Sequence, residues 1–166
     1  MKLDLYVVTD EDLAFGLPHS EMARRAVLGG ADVIQLRDKT LPSRELVRAG
    51  REIRKITRKA GALFIVNDRL DIALACGADG VHLGQDDLSC ETARQLSPSG
   101  FVIGVSVGSA DEAVSAERQG ADYVAVSPVF PTGSKSDAGP GYGLAMVREI
   151  RAAVSIPVIT IGGIGP

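Results

Sequence analysis

Short runs of Val, Ile and Leu recur along the whole chain, each bounded by Gly, Asp or Ser. They predict strands at Leu3–Val8, Val33–Leu36, Leu63–Val66, Val81–Leu83, Val102–Val107, Tyr123–Val126 and Val158–Ile161. Most are unbroken apolar runs rather than alternating ones, the pattern of strands covered by helices on both faces. Between them the period changes to that of a helix. From Ser43 to Lys59, Leu46, Gly50, Ile53 and Ile56-Thr57 share one face while Arg and Glu fill the other. Ser43 is the expected N-cap of that helix. Ser109 with Glu112 three residues on has the spacing of a capping box, in which each side chain satisfies an orphan backbone donor. A third helix is expected over Gly143–Val154, with Leu144, Val147 and Ile150 inward and Arg148 and Arg151 outward.

An internal repeat sharpens the architecture. Gly30-Ala31-Asp32, Gly77-Ala78-Asp79 and Gly120-Ala121-Asp122 each close a helix and open a strand, at intervals of 47 and 43 residues. Each interval holds two strand–helix units. Glycine suits the residue past a helix end because a left-handed conformation there costs a side chain with a Cβ about 1–2 kcal/mol. Repeated strand–helix units with short returns mean parallel strands joined by right-handed crossovers. Seven strands fit a TIM (β/α)8 barrel lacking its last unit, or an open doubly wound sheet.

Composition narrows the class further. The 166 residues are expected to form a single domain, 1–166, because domains typically hold roughly 100–200 residues. The apolar fraction of 45% and charged fraction of 23% are those of a globular chain and exclude disorder. With 18 Lys+Arg against 21 Asp+Glu the net charge is −3, which argues against a nucleic-acid or membrane-surface binder. No apolar run reaches the roughly 18 residues of a membrane span, and the charged start Met1-Lys2-Leu3-Asp4 is no signal peptide. Cys76 and Cys90 form no disulfide framework and are expected to be reduced thiols of a cytoplasmic protein.

The chemistry gathers where the strands end. Thr9-Asp10 follows the first strand, and Gln35-Leu36-Arg37-Asp38-Lys39 closes the second. Asn67-Asp68-Arg69 follows the third and Gly84-Gln85-Asp86-Asp87 the fourth. The fifth carries Ser106, the sixth leads to Thr132-Gly133-Ser134-Lys135, and the seventh finishes at Gly162-Gly163. Parallel strands put all carboxyl ends on one face, and polar chemistry spread over so many of them favours the barrel, whose loops converge on one site. Arg37, Lys39 and Lys135 would bring three cations there. Alternation along the strand would aim Gln35, Arg37 and Lys39 to one side.

Two carboxylates, Asp68 and Asp87, are too few to cage Ca2+. They suit Mg2+, which keeps waters and shares phosphate oxygens with one or two carboxylates. The competing expectation is that Asp68 and Asp86 or Asp87 cap the helices that follow. His82 and His19 lack zinc-ligand spacing. The segment from Pro128 to Tyr142 offers hydroxyls, glycines and Lys135 to a phosphate, and Gly162-Gly163 stands where barrels often seat one. No Walker lysine motif or GxGxxG fingerprint is present. A departing polyphosphate beside cations and Mg2+ is the chemistry these residues suit.

Taken together, Tyr6-Val7-Val8-Thr9-Asp10, Gln35 to Lys39, Asn67-Asp68-Arg69, Gly77 to Asp87, Gly104-Val105-Ser106, Val129-Phe130-Pro131-Thr132 with Lys135, and Ile161-Gly162-Gly163-Ile164 resemble the thiamine phosphate synthase family in order along the chain. That resemblance implies a transferase joining hydroxymethylpyrimidine diphosphate to a thiazole phosphate, releasing diphosphate by a dissociative route. It implies that the strand end Gln35, Leu36, Arg37, Asp38 and Lys39, with Asn67, Ser106 and Lys135, holds the pyrimidine diphosphate. Lys135, Arg37 and Lys39 become the catalytic cations, and Asp68 and Asp87 the Mg2+ ligands. Thr132, Gly133, Ser134 and Gly163 would hold the thiazole phosphate. The alternatives are a thiazole tautomerase of the same fold and a non-catalytic binder of phosphorylated thiamine precursors. The partners are small molecules, with self-association left open. The chain ends at Pro166, just after the seventh strand, so a truncated barrel is expected, with the thiazole phosphate held weakly.

Overall fold

The computed structural model describes residues 1–132 and 141–165. They fall into two compact units, Met1–His82 and Leu83–Pro166. In the first unit, β1 (Tyr6–Thr9), β2 (Val33–Leu36), β3 (Leu63–Asn67) and β4 (Gly80–Leu83) alternate with α1 (His19–Leu28), α2 (Ser43–Ala60) and α3 (Leu70–Cys76). Its strands pair in parallel and in chain order, with Val8 opposite Gln35, Gln35 opposite Ile65, and Asn67 opposite His82. The second unit holds α4 (Cys90–Leu96), β5 (Val102–Ser106), α5 (Ala110–Arg118), β6 (Tyr123–Val126), α6 (Gly143–Ala153) and β7 (Val158–Thr160). There Ser106 lies opposite Ala125 and Val126 opposite Thr160, again parallel. Parallel strands alternating with helices in chain order define the TIM-barrel class, with seven of its eight strands among the described residues.

The strand composition explains the layering. All four residues of β2, of β4 and of β6 are buried, as strands covered on both faces are, and the polar Gln35 and His82 are buried with their apolar neighbours. Ile34, Leu36, Ile53 and Phe64 centre the core of the first unit, and Ile103, Tyr123 and Ile150 that of the second. On α2 the buried set is Leu46, Gly50, Ile53 and Thr57, the face the periodicity predicts.

The repeated triplets prove to be clamps at the amino ends of the strands. Gly30, Gly77 and Gly120 all have positive φ, at 90°, 71° and 93°, where a Cβ would be strained. Each aspartate then reaches back to the preceding strand. The amides of Leu5, Phe64 and Ile103 donate to Asp32 (3.0 Å), Asp79 (2.9 Å) and Asp122 (2.7 Å). In return the amides of Asp32, Asp79 and Asp122 donate to the carbonyls of Leu5, Phe64 and Ile103. A cation closes each clamp: Lys2, Arg54 and Arg94 at 2.7, 2.7 and 2.6 Å. The period of two strand–helix units is the spacing at which an odd strand is tied to its even successor.

Local chemistry corrects two expected caps. Pro42, not Ser43, precedes the first turn of α2, and the Ser43 hydroxyl instead accepts from Arg69 at 3.0 Å. Proline in that place needs no amide partner, which leaves the serine side chain to a neighbouring loop. At α5 the Glu112 amide donates to Ser109 Oγ at 3.2 Å as expected, but Glu112 Oε2 accepts from the Gly108 amide rather than from Ser109. Among the described residues no helix is long and apolar enough to cross a membrane.

Candidate functional site

In the first unit the carboxyl ends of β1, β2 and β3 assemble alternating cations and carboxylates. β2 ends at Leu36, so strand alternation does not extend to Arg37 and Lys39. They are held instead by carboxylates from the flanking strand ends. Arg37 pairs with Asp10 beyond β1, and Lys39 Nζ lies 2.5 Å from Asp68 Oδ2 beyond β3. Asp10 has a second task, since its Oδ1 accepts from the Leu13 amide at 3.1 Å and orders the loop into α1. Gln35 is buried and donates through Nε2 to the Tyr6 hydroxyl at 2.8 Å, while Leu36 is buried in the core.

Asp68 is the most telling residue of this unit. Its φ is +62°, uncommon for a residue with a side chain, and its amide donates to the His82 carbonyl at 2.8 Å. The expectation that it caps α3 does not hold. Arg69 precedes the helix with no side-chain cap, and the Asp68 carboxylate faces Lys39. A strained backbone that aims a carboxylate at a cation beside a strand end is an arrangement of functional sites. Asn67 ends β3 in register with His82 of β4.

Asp38 binds its own loop. Its Oδ1 accepts from the Thr40 and Leu41 amides, both at 2.7 Å, and Oδ2 faces His19 Nε2 at 3.2 Å. Burial pushes this carboxyl up, but the Leu41 and Thr40 amides and His19 outweigh it and hold it below the ordinary aspartate range.

In the second unit Asp87 is exposed, and its Oδ2 accepts from the Gly84 amide at 2.7 Å. Here too the expected cap is taken elsewhere, because Ser89 caps α4 through the Thr92 amide at 3.2 Å. Ser106 ends β5, and its carbonyl accepts from Gln85 at 2.7 Å. Gly162 and Gly163 are packed against the strand 6 exit. A Cβ on Gly162 would lie 2.7 Å from Pro128, and one on Gly163 would lie 2.8 Å from Phe130 and Pro131. Phe130 donates to the Gly162 carbonyl at 3.0 Å, which sets this turn beside Thr132 in sequence. Gly133, Ser134 and Lys135 lie outside the described residues.

Asp68 in the first unit and Asp87 in the second serve no helix cap, and each is a hard oxygen donor of the kind Mg2+ accepts. No group of three or more His, Cys, Asp or Glu with metal-binding geometry occurs among the described residues. Cys76 and Cys90 are free, and burial pushes both thiols up, away from nucleophilic chemistry.

Fold and strand ends together define a parallel α/β scaffold with paired cations and carboxylates beyond its strands. The thiamine monophosphate synthase family model matches residues 5–166. Thiamine-phosphate synthase of Methanoregula boonei is 65% identical over 164 residues, covering 99% of this chain and 76% of that protein. Its counterpart in Methanoculleus marisnigri is 64% identical, covering 99% and 78%. The solved thiamine phosphate pyrophosphorylase of Pyrococcus furiosus superposes with a TM-score of 0.89 at 47% identity, over 98% of this chain and 76% of that one. The chain belongs to the thiamine monophosphate synthase family, transferases of thiamine biosynthesis acting on small molecules.

Two site residues went unselected by sequence reasoning. Asp10 was legible only as one of many polar residues at strand ends, and its pairing with Arg37 depends on strand adjacency. His19 was set aside for lack of zinc-ligand spacing, a criterion blind to hydrogen bonding between a helix start and two strand ends.

Proposed function

We propose that this chain joins hydroxymethylpyrimidine diphosphate to a thiazole phosphate, yielding thiamine phosphate and free diphosphate. The bond between the pyrimidine methylene carbon and the diphosphate oxygen breaks first, its electron pair leaving with the diphosphate. The thiazole nitrogen then donates its lone pair to the electron-poor methylene carbon and forms the new C–N bond. Arg37, Lys39 and Lys135 stabilise the negative charge that accumulates on the leaving group, the largest electrostatic demand of such a step. Asp68 and Asp87 would each offer a carboxylate to Mg2+, which would supply further charge neutralisation to the leaving group. Gln35, Asp38, Asn67 and Ser106 orient the pyrimidine diphosphate. Thr132, Gly133, Ser134 and Gly163 take the thiazole phosphate. Two free, buried cysteines suit a cytoplasmic setting.

The observation that carries this reading is the convergence of Arg37 and Lys39 on carboxylates from adjacent strand ends. The Lys39–Asp68 pair in particular is an exposed contact that a diphosphate and a cation can divide between them. Lys39 has 60% of its side chain exposed, and such pairs contribute only about 0–1 kcal/mol, so exchange is inexpensive. The test is an incubation with both precursors and Mg2+, following free diphosphate. Diphosphate release that requires the thiazole phosphate supports the reading, and interconversion of thiazole tautomers with no diphosphate release would replace it with an isomerase.

A further inference from the structure

We propose that His19 is a positioning residue that aligns Arg37 and Lys39 for the diphosphate, an inference that rests on the diphosphate site described above. His19 begins α1 and is 1% exposed. Its Nδ1 lies 2.8 Å from Thr9 Oγ1 at the end of β1, and Nε2 lies 3.2 Å from Asp38 Oδ2 beyond β2. Both ring nitrogens therefore bond to the ends of neighbouring strands. Thr9 is fully buried, and its hydroxyl lies 3.3 Å from the Gln35 carbonyl oxygen while its carbonyl accepts from the Arg37 amide. Asp38 in turn fixes Thr40 and Leu41 through their amides and accepts from the Thr40 hydroxyl at 3.0 Å. Glu11 Oε1 accepts from the His19 amide at 3.1 Å and anchors the ring's own backbone.

The backbone on both sides of Arg37, and on both sides of Lys39, is thus tied to one imidazole. Strand β2 ends at Leu36 and the Arg37 amide still bonds across to Thr9, so beyond Arg37 the segment depends on side-chain bonds. A residue that only filled space here would be apolar, since burying a polar ring is costly unless its nitrogens are bonded. Cations that must meet a diphosphate need placement to within about 0.5 Å, and a shift of about 1 Å can cost a hundredfold.

Calorimetry with inorganic diphosphate and Mg2+ tests the assignment on the full chain, with melting temperature measured alongside. In His19→Gln the amide nitrogen reaches Asp38 as Nε2 does. In His19→Asn it reaches only toward Thr9. The expected result is wild-type binding, binding within about threefold in His19→Gln, and a loss of about tenfold or more in His19→Asn at a similar melting temperature. Asp38→Asn cuts the same bridge from its other end and should lose as much, which keeps the test open should His19→Asn fail to fold. Unchanged affinity in Asp38→Asn or His19→Asn overturns the proposal, as does a loss in His19→Gln that simply tracks its melting temperature. Failure of the wild type to bind would instead overturn the diphosphate site itself.

Discussion

Arg37 and Lys39 differ in how freely they can exchange partners, and that difference sets their roles. The Arg37–Asp10 pair is shielded, with 19% and 16% of the two side chains exposed, whereas Lys39 reaches Asp68 from solvent. In the proposed reaction Arg37 would be the fixed cation, and Lys39 the one that moves from carboxylate to phosphate. Asp68 would then be open to a metal. Asp68→Asn, which keeps a residue tolerant of positive φ, and Asp87→Ala should each lower turnover about tenfold to a hundredfold or more while leaving the melting temperature nearly unchanged. Metal titration checks this: both variants should lose the Mg2+ response of the wild type, and an unaltered response would exclude them as ligands. Lys135→Ala should lower kcat by about 10²–10³ at saturating substrate if it stabilises the departing diphosphate, and a normal kcat would reduce it to surface charge. Asp38 gives a pH signature. Its carboxyl is held below the usual range, so its contribution is present above the unfolded value near pH 4 and is lost as pH falls through the folded value. The stability gap between wild type and Asp38→Asn should accordingly be widest at neutral pH and narrow below about pH 4. Denaturation across that window measures it, and a constant gap would contradict the assignment.

The elements show what could be seen in the chain beforehand and what could not. β2 and β6 run over Val33–Leu36 and Tyr123–Val126, as predicted, because burial on both faces favours largely apolar runs, with Gln35 the one amide side chain in β2. β1 is shorter than its apolar run suggests, starting at Tyr6, since Leu5 is spent on the clamp with Asp32. The α2 periodicity was legible to within a residue at its carboxyl end, where Gly61 closes the helix. Its start at Ser43 was legible too, but its cap was not, because a proline before a helix competes with serine as the boundary and periodicity cannot separate them. Strand ends that carry Asp68 and Asp87 posed the same ambiguity, since an aspartate before a helix reads equally as cap or ligand. Only coordinates show that Ser89 takes the α4 cap and that Asp68 turns toward Lys39. At α5 the cap was legible and is testable. Ser109→Ala should cost about 1 kcal/mol and lower the midpoint of chemical denaturation with no change in slope, whereas no shift would show the Glu112 amide to be satisfied without it.

At the scale of the molecule, stability and chemistry occupy opposite ends of the strands. The Gly-Ala-Asp clamps hold the amino ends through paired backbone bonds and a cation, and the residues assigned to the ligands stand at the carboxyl ends. The repeat itself was visible as three triplets, but its mechanism depends on which earlier amide each aspartate reaches, and spacing alone does not reveal that. The central proposal is that Arg37, Lys39 and Asp68 bind the diphosphate in a way that depends on Mg2+. Calorimetric titration of the protein with the pyrimidine diphosphate, with and without Mg2+, tests it most directly. The account predicts binding that strengthens at least about tenfold with the metal and is lost in Asp68→Asn. Equal affinity with and without Mg2+, retained in Asp68→Asn, would contradict it.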